Sequence, residues 1–99
     1  MGVLIKTMEL AEYLTNDFKV YVEVNADHMA DGRIFPCSFV WEDGRRYEID
    51  SIMSVCPAAS LKGGGAGIRY TVRVGHRITF MFLEEDNGIN RWFMERKEA

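Results

Sequence analysis

The sequence predicts a mainly β domain: about six antiparallel strands in a curled meander or small barrel, with one short N-terminal helix. Three observations carry this expectation. Apolar and polar residues alternate along most of the chain, as they do in strands with one buried face. Glycine-containing turn pairs, Asp43-Gly44, Gly75-His76 and Asn87-Gly88, punctuate the alternating segments. Helical spacing occurs only near the N-terminus, where Leu4, Met8 and Ala11 line up with Leu10 and Leu14 beside them.

That helix is expected over Leu4–Leu14, with Glu9 and Glu12 facing water and Asn16-Asp17 stopping it. A helix so short is marginal on its own and must dock on the sheet or fray. Residues 1–17 are therefore read as a helical extension and 18–99 as a single β domain. The first strand is Phe18–Asn25, with Phe18, Val20, Val22 and Val24 on one face and Lys19, Tyr21 and Glu23 on the other. A turn-rich connection, Asp27–Gly32, follows.

The next hairpin can be read to its register. Phe35, Cys37, Phe39 and Trp41 share a face, and Arg45, Tyr47, Ile49 and Ser51 share one on the return strand. A two-residue Asp43-Gly44 turn would set Phe39 opposite Glu48. A three-residue loop, Glu42-Asp43-Gly44, pairs Phe39 with Tyr47 and Cys37 with Ile49 instead. A slip of one residue moves every side chain to the other face, so the apolar pattern selects the three-residue loop, closed by a left-handed glycine.

Past Val55-Cys56-Pro57, four glycines fall within the five residues 63–67. Ile68–Val74 alternates, Gly75-His76 suits a type II′ turn, and Arg77–Glu84 returns. The run Ile78–Leu83 is apolar on both faces, as a strand covered on two sides would be. Asn87-Gly88 pairs Phe82 with Phe93, Leu83 with Trp92 and Glu84 with Arg91, making Arg91–Arg96 the last strand.

Composition narrows the function classes. At 99 residues the chain fits one domain, and 47% apolar with 27% charged residues is ordinary for a globular protein. No apolar run approaches the roughly 20 residues of a membrane-spanning helix. The stretch Val3–Ile5 is too short for a signal peptide, and Lys6 stands where a myristoylation signal wants Ser or Thr. The expectation is a cytoplasmic protein without a membrane partner. Cys37 and Cys56 form no C-x-x-C and read as reduced, buried small side chains.

A net charge of −3 argues against generic nucleic-acid binding, but the charge is unevenly spread. Ser54–Leu83 holds Lys62, Arg69, Arg73 and Arg77 and no acid, so this segment carries +4 and the remainder −7. Such asymmetry marks a surface for an anionic partner, or arginines that pair with acids on neighbouring strands.

The loop Lys62-Gly63-Gly64-Gly65-Ala66-Gly67-Ile68-Arg69 is the sharpest candidate site. Its glycines let backbone N–H groups converge on an anion, with Lys62, Arg69 and Arg73 supplying charge. It is neither a Walker loop, since no Lys-Ser/Thr follows, nor a dinucleotide fingerprint, since Ile68 fills the third glycine position. The plain alternative is a tight connection with no ligand. Arg69, Thr71 and Arg73 share a strand face, and Tyr70, Trp41 and Trp92 supply aromatic surface if exposed, the combination by which small barrels take single-stranded nucleic acid.

His28 and His76 sit at loop or turn positions and assemble no metal ligand set, and Glu84-Glu85-Asp86 lacks calcium-loop spacing and reads as a solvated strand end. No G-x-S-x-G or H-E-x-x-H is present, and nothing pairs a nucleophile with a base.

Through Trp41–Asp50 (WEDGRRYEID), Pro57–Tyr70 (PAASLKxGGxGIRY) and Asn90–Glu95, the chain resembles a family of small uncharacterised bacterial proteins. The likeness runs from about Val20 to Lys97 and leaves out the first 17 residues. It implies a free-standing bacterial domain and brings no catalytic residue or cofactor. The leading expectation is a non-enzymatic binding or regulatory module meeting an anionic partner through Ser60–Tyr70 and Arg73. The second is a protein-interaction module or homodimer; a small-ligand enzyme ranks third, for want of an acid, base or nucleophile in a pocket.

Overall fold

The computed structural model describes residues 19–58 and 67–96. They form one antiparallel sheet of seven strands: β1 (Lys19–His28), β2 (Ile34–Val40), β3 (Arg46–Glu48), β4 (Ser51–Pro57), β5 (Gly67–Val74), β6 (Arg77–Asp86) and β7 (Ile89–Glu95), in the spatial order β3-β2-β1-β7-β6-β5-β4. The helix expected over Leu4–Leu14 lies outside the described residues, among which there is no helix.

Three turns follow their chemistry. Around Glu42-Asp43-Gly44, Trp41 N–H donates to Arg45 C=O at 3.0 Å and Gly44 takes φ +82°, so Phe39 faces Tyr47 and Ile49 N–H reaches Cys37 C=O. At Asn87-Gly88 both residues are left-handed, φ 54° and 80°, the demand of a type I′ turn, and the pairs Phe82–Phe93, Leu83–Trp92 and Glu84–Arg91 form. At Gly75-His76 only the glycine has positive φ, as in type II′, and Val74 pairs with Arg77.

Two boundaries differ from the sequence expectation. β1 continues to His28 through a bulge at Asn25/Ala26, so the connection from Asp27 shrinks to a tight loop, Ala30-Asp31-Gly32. This loop copies the other one: Met29 N–H donates to Arg33 C=O, and Asp31 accepts from Arg33 N–H as Asp43 does from Arg45 N–H. The count rises from six strands to seven because the return strand of the first long hairpin changes partner. Up to Glu48 it pairs with β2, and from Ser51 it pairs with β5. At the junction Ile49 N–H donates to Cys37 C=O on β2 and Asp50 N–H to Arg73 C=O on β5.

One short junction thus joins the two ends of the strand order, and the sheet must curl to allow it. Bulges at Asn25/Ala26 and Ile52/Ser54 supply bend. The concave side holds the core of Val20, Phe39, Tyr70, Val72, Met81, Leu83 and Met94. Tyr70, 1% exposed, sends its hydroxyl across the interior to Ile34 C=O on β2 at 2.5 Å. Burial pushes its phenol pKa up, so it stays a donor. Among the described residues no helix is long and apolar enough to cross a membrane.

Candidate functional site: the outer face of the sheet

Alternation fixes which side chains point outward. Along one row, Tyr21 on β1, Phe93 on β7, Phe82 on β6, Arg69 on β5 and Cys56 on β4 are successive register partners, so all five share the convex face. Phe82 and Phe93 stack at 4.8 Å between centroids, Tyr21 meets Phe93 edge-on at 5.8 Å, and Phe80 lies 6.5 Å from Phe82. Tyr21 and Phe80 remain 46% and 44% exposed, and Ile78 beyond them 53%.

Cations border this row. The Arg69 guanidinium lies 4.9 Å from the Phe80 centroid, Lys19 Nζ 4.4 Å from Phe93 and the Arg91 guanidinium 4.5 Å from Tyr21. Lys19 and Arg91 also hold Glu84, at 3.5 and 2.8 Å, and the Tyr21 hydroxyl donates to the same carboxylate at 3.1 Å. Burial alone would raise the Glu84 pKa, but Tyr21, Lys19 and Arg91 together outweigh it and hold the carboxyl below its ordinary value. Glu84 is therefore the covered anion of a four-residue cluster, not the solvated strand end that the acidic run suggested.

The expected site residues separate on this face. Lys62, Gly63, Gly64 and Gly65 lie outside the described residues. Gly67 opens β5 and abuts Ala58: a Cβ there would sit 2.7 Å from the Ala58 carbonyl oxygen, and Ala58 N–H donates to Gly67 C=O at 2.9 Å. Glycine at 67 thus has a steric reason independent of any ligand.

Arg69 and Arg73 both point outward from β5, with Thr71 between them. Arg73 donates to Gly75 C=O and stands 3.9 Å from Asp50, whose carboxylate accepts from Gly75 N–H. Among the described residues, no carboxylate pairs with Arg69. Of the two readings of the basic segment, pairing with a neighbouring acid describes Arg73 loosely and, among the described residues, does not describe Arg69.

The aromatic surface is made by other residues than those expected. Tyr70 is buried inward, and Trp41 and Trp92 pack half-buried against the core. The exposed platform is Tyr21, Phe80, Phe82 and Phe93. Its sequence signal was the doubly apolar β6 combined with the Phe82–Phe93 register.

A second concavity, a groove of about 480 Å³ lined by Glu23, Val24, Asn25, Cys37, Ser38, Arg46 and Glu48, crosses β1, β2 and β3. Its two acids disfavour an anion, and Arg46 already donates to Ser38. Burial and then Asp27 push the Cys37 thiol pKa up, which keeps it protonated and a poor nucleophile. Cys37 and Cys56 are unpaired and half-buried rather than fully buried. Among the described residues no three His, Cys, Asp or Glu side chains are grouped to hold a metal ion.

Comparison with family models, curated proteins and solved structures returns no match for this chain.

Proposed function

We propose that this chain is a non-enzymatic binding module that takes an extended anionic partner along the outer face of β5, through Arg69 and Arg73 with residues 62–67 alongside. The observation that carries it is Arg69, an exposed arginine whose guanidinium lies 4.9 Å from the Phe80 ring centroid and which has no carboxylate partner among the described residues. A guanidinium on a ring keeps its N–H edge for an incoming anion. Arg69 and Arg73 are four residues apart on one strand, roughly 13 Å at 3.3 Å per residue, too far to grip one phosphate together. The spacing favours a chain of anions. Single-stranded nucleic acid fits best, because Phe80 beside Arg69 offers a stacking surface. Proposed with this are a cytoplasmic setting, in keeping with two unpaired cysteines, and kinship with the small bacterial proteins that Trp41–Asp50 and Pro57–Tyr70 resemble.

An amide-resolved titration at low salt, first with a random single-stranded oligonucleotide pool and then with ATP, tests the reading. Saturable shifts along Arg69–Arg73 and at Phe80, reversed by salt and lost in Arg69→Ala/Arg73→Ala, are expected. Affinity unchanged in that double variant would reject these residues as the site.

A second reading, a protein-interaction module or homodimer, rests on β4. That strand ends the sheet order and pairs along one edge only, with Met53 54% and Val55 47% exposed. A mass that rises with protein concentration and returns to one chain in Val55→Lys would favour it; a monomer at every concentration would remove the dimer version.

A further inference from the structure

β3 and β4 are the two edges of the sheet, and they are built differently. β3 is three residues long and carries Arg46 and Glu48, the short, charged kind of edge that turns a further strand away. β4 runs for seven residues, Ser51–Pro57, without a charged side chain, and Met53 and Val55 stand exposed on it. We infer that two copies of this chain pair antiparallel through β4, around a two-fold axis at Val55, so that the outer faces of both β5 strands become one anion-binding track. The inference rests on the reading of Arg69 and Arg73 as an anion site, and it makes that site the joint property of two copies.

Hydrogen-bond phase selects the centre. Ala58 N–H donates to Gly67 C=O on β5, and in an antiparallel ladder successive residues turn their polar groups to opposite sides. Cys56 and Ser54 therefore address β5, whereas the N–H and C=O of Val55 point to the edge that no described strand covers. Centred there, the pairing sets Val55 against its own counterpart, Ser54 against Cys56 and Met53 against Pro57. No charge opposes a charge or an apolar group, so the segment matches its own reverse, and this commits the edge to a second copy. The bulge at Ile52/Ser54 and the missing N–H of Pro57 keep the usable edge short. The pair is accordingly weak alone and is strengthened by a ligand that spans both copies.

A two-fold axis normal to the sheet leaves the outer faces of both copies on the same side. Tyr70 is the register partner of Val55, and Arg69 and Arg73 lie to either side of it along β5. The β5 strands of the two copies stand three spacings apart, about 14 Å at 4.8 Å each. Within one copy Arg69 and Arg73 are roughly 13 Å apart, so the four guanidinium groups are spread at similar intervals. The floor between the two β5 strands is Ser54 and Cys56 from each copy, with no acid among them. Like charges at such distances lie beyond the Debye length of about 8 Å at physiological salt, and a polyanion spanning them doubles its phosphate contacts.

The test uses the full chain with two oligothymidylates, a short one that reaches a single Arg69–Arg73 pair and a longer one that spans both copies. The longer one should bind two copies cooperatively, with a salt slope steeper by about 1.4, for two further phosphates at 0.7 each. Val55→Lys should bind both oligonucleotides without cooperativity; its added charge alone would raise affinity, so the loss reports the pairing. The Val55 amide, open in a single copy, should exchange more slowly once the longer oligonucleotide is bound. If Val55→Lys fails to fold, that amide in the parent chain decides. An unprotected Val55 amide in the saturated complex, or cooperativity that survives in Val55→Lys, overturns the two-copy track and leaves the Arg69–Arg73 site standing. Failure of both oligonucleotides to bind overturns that site, and the track with it.

Discussion

Tyr70 and Ile34 belong to strands with three others between them, yet the hydroxyl of one donates to the carbonyl of the other at 2.5 Å. In a flat sheet those strands would lie about 19 Å apart, four spacings of 4.8 Å. The bond measures the curl directly, and it makes Tyr70 a strut across the interior rather than a ring on the surface.

Tyr70→Phe should keep the packing and lose that strut. A loss of about 1 kcal/mol is expected, from the bond and the Ile34 carbonyl left without its donor. The midpoint of urea unfolding would fall with an unchanged slope. An unchanged midpoint would mean that the curl is held elsewhere, chiefly at the Ile49–Asp50 junction.

Gly67→Ala separates steric need from ligand need. The added methyl meets the Ala58 carbonyl oxygen at 2.7 Å, a backbone atom that cannot swing aside. A destabilisation of about 1–3 kcal/mol is expected, typical of overpacking, and it should appear with no ligand present. Full stability in the variant would return Gly67 to the list of residues kept for an anion.

Glu84 makes stability depend on pH. Its folded pKa lies below the ordinary value of 4.5, so its contribution is complete above about that pH and is lost as the pH falls through the folded value. Glu42 and Asp43 are lowered too, by hydrogen bonds from Arg96 and from Arg45 N–H respectively, so the acid limb has several contributors. Thermal unfolding between pH 6 and pH 3 should show a shallower acid limb in Glu84→Gln than in the parent. Parallel curves would place the acid sensitivity wholly at the other carboxylates.

The Asn87-Gly88 turn gives a matched pair of outcomes. Gly88→Ala forces a Cβ into φ 80° and should cost about 1–2 kcal/mol. Asn87→Gly at φ 54° should change stability by only a few tenths of a kcal/mol, since either residue tolerates that conformation. Chemical denaturation reads both. Equal costs would mean that the β6–β7 register is set by the side-chain pairs and not by the turn.

If Arg69 and Arg73 each contact a phosphate, removing one should lower the salt slope of oligonucleotide binding by about 0.7. Binding isotherms at several salt concentrations check this. An affinity that drops with the slope unchanged would assign the arginine a structural part, in Arg69 the contact with Phe80.

Local information was sufficient where a turn and its flanking pattern agree. Glu42-Asp43-Gly44 could be chosen over a two-residue turn because only one register puts Phe39 beside Tyr47, and the stacked rings at 5.6 Å follow from it. The same logic fixed every pair around Asn87-Gly88. The second x-Asp-Gly-Arg loop, Ala30–Arg33, was equally legible but was masked by the polar stretch around it.

The outer face lay half within reach. The doubly apolar β6 and the predicted Phe82–Phe93 pair already imply stacked rings, but which face of β6 is inward depends on strands far away in the sequence. Tyr70 shows the cost of lacking that knowledge. Its neighbours alternate in the same way whether it points in or out.

What the sequence determined by itself is therefore the mainly β class of the domain, the turns at Glu42-Asp43-Gly44, Gly75-His76 and Asn87-Gly88, and the registers of the β2–β3 and β6–β7 hairpins, because these depend on neighbours a few residues apart. Only the tertiary structure decided that the strand through Ile49 and Asp50 leaves β2 for β5, that the sheet curls until Tyr70 reaches Ile34, and that Arg69 rests on Phe80 instead of an acid. Those outcomes come from contacts between distant residues, whose loop-closure cost and packing gain no local pattern records.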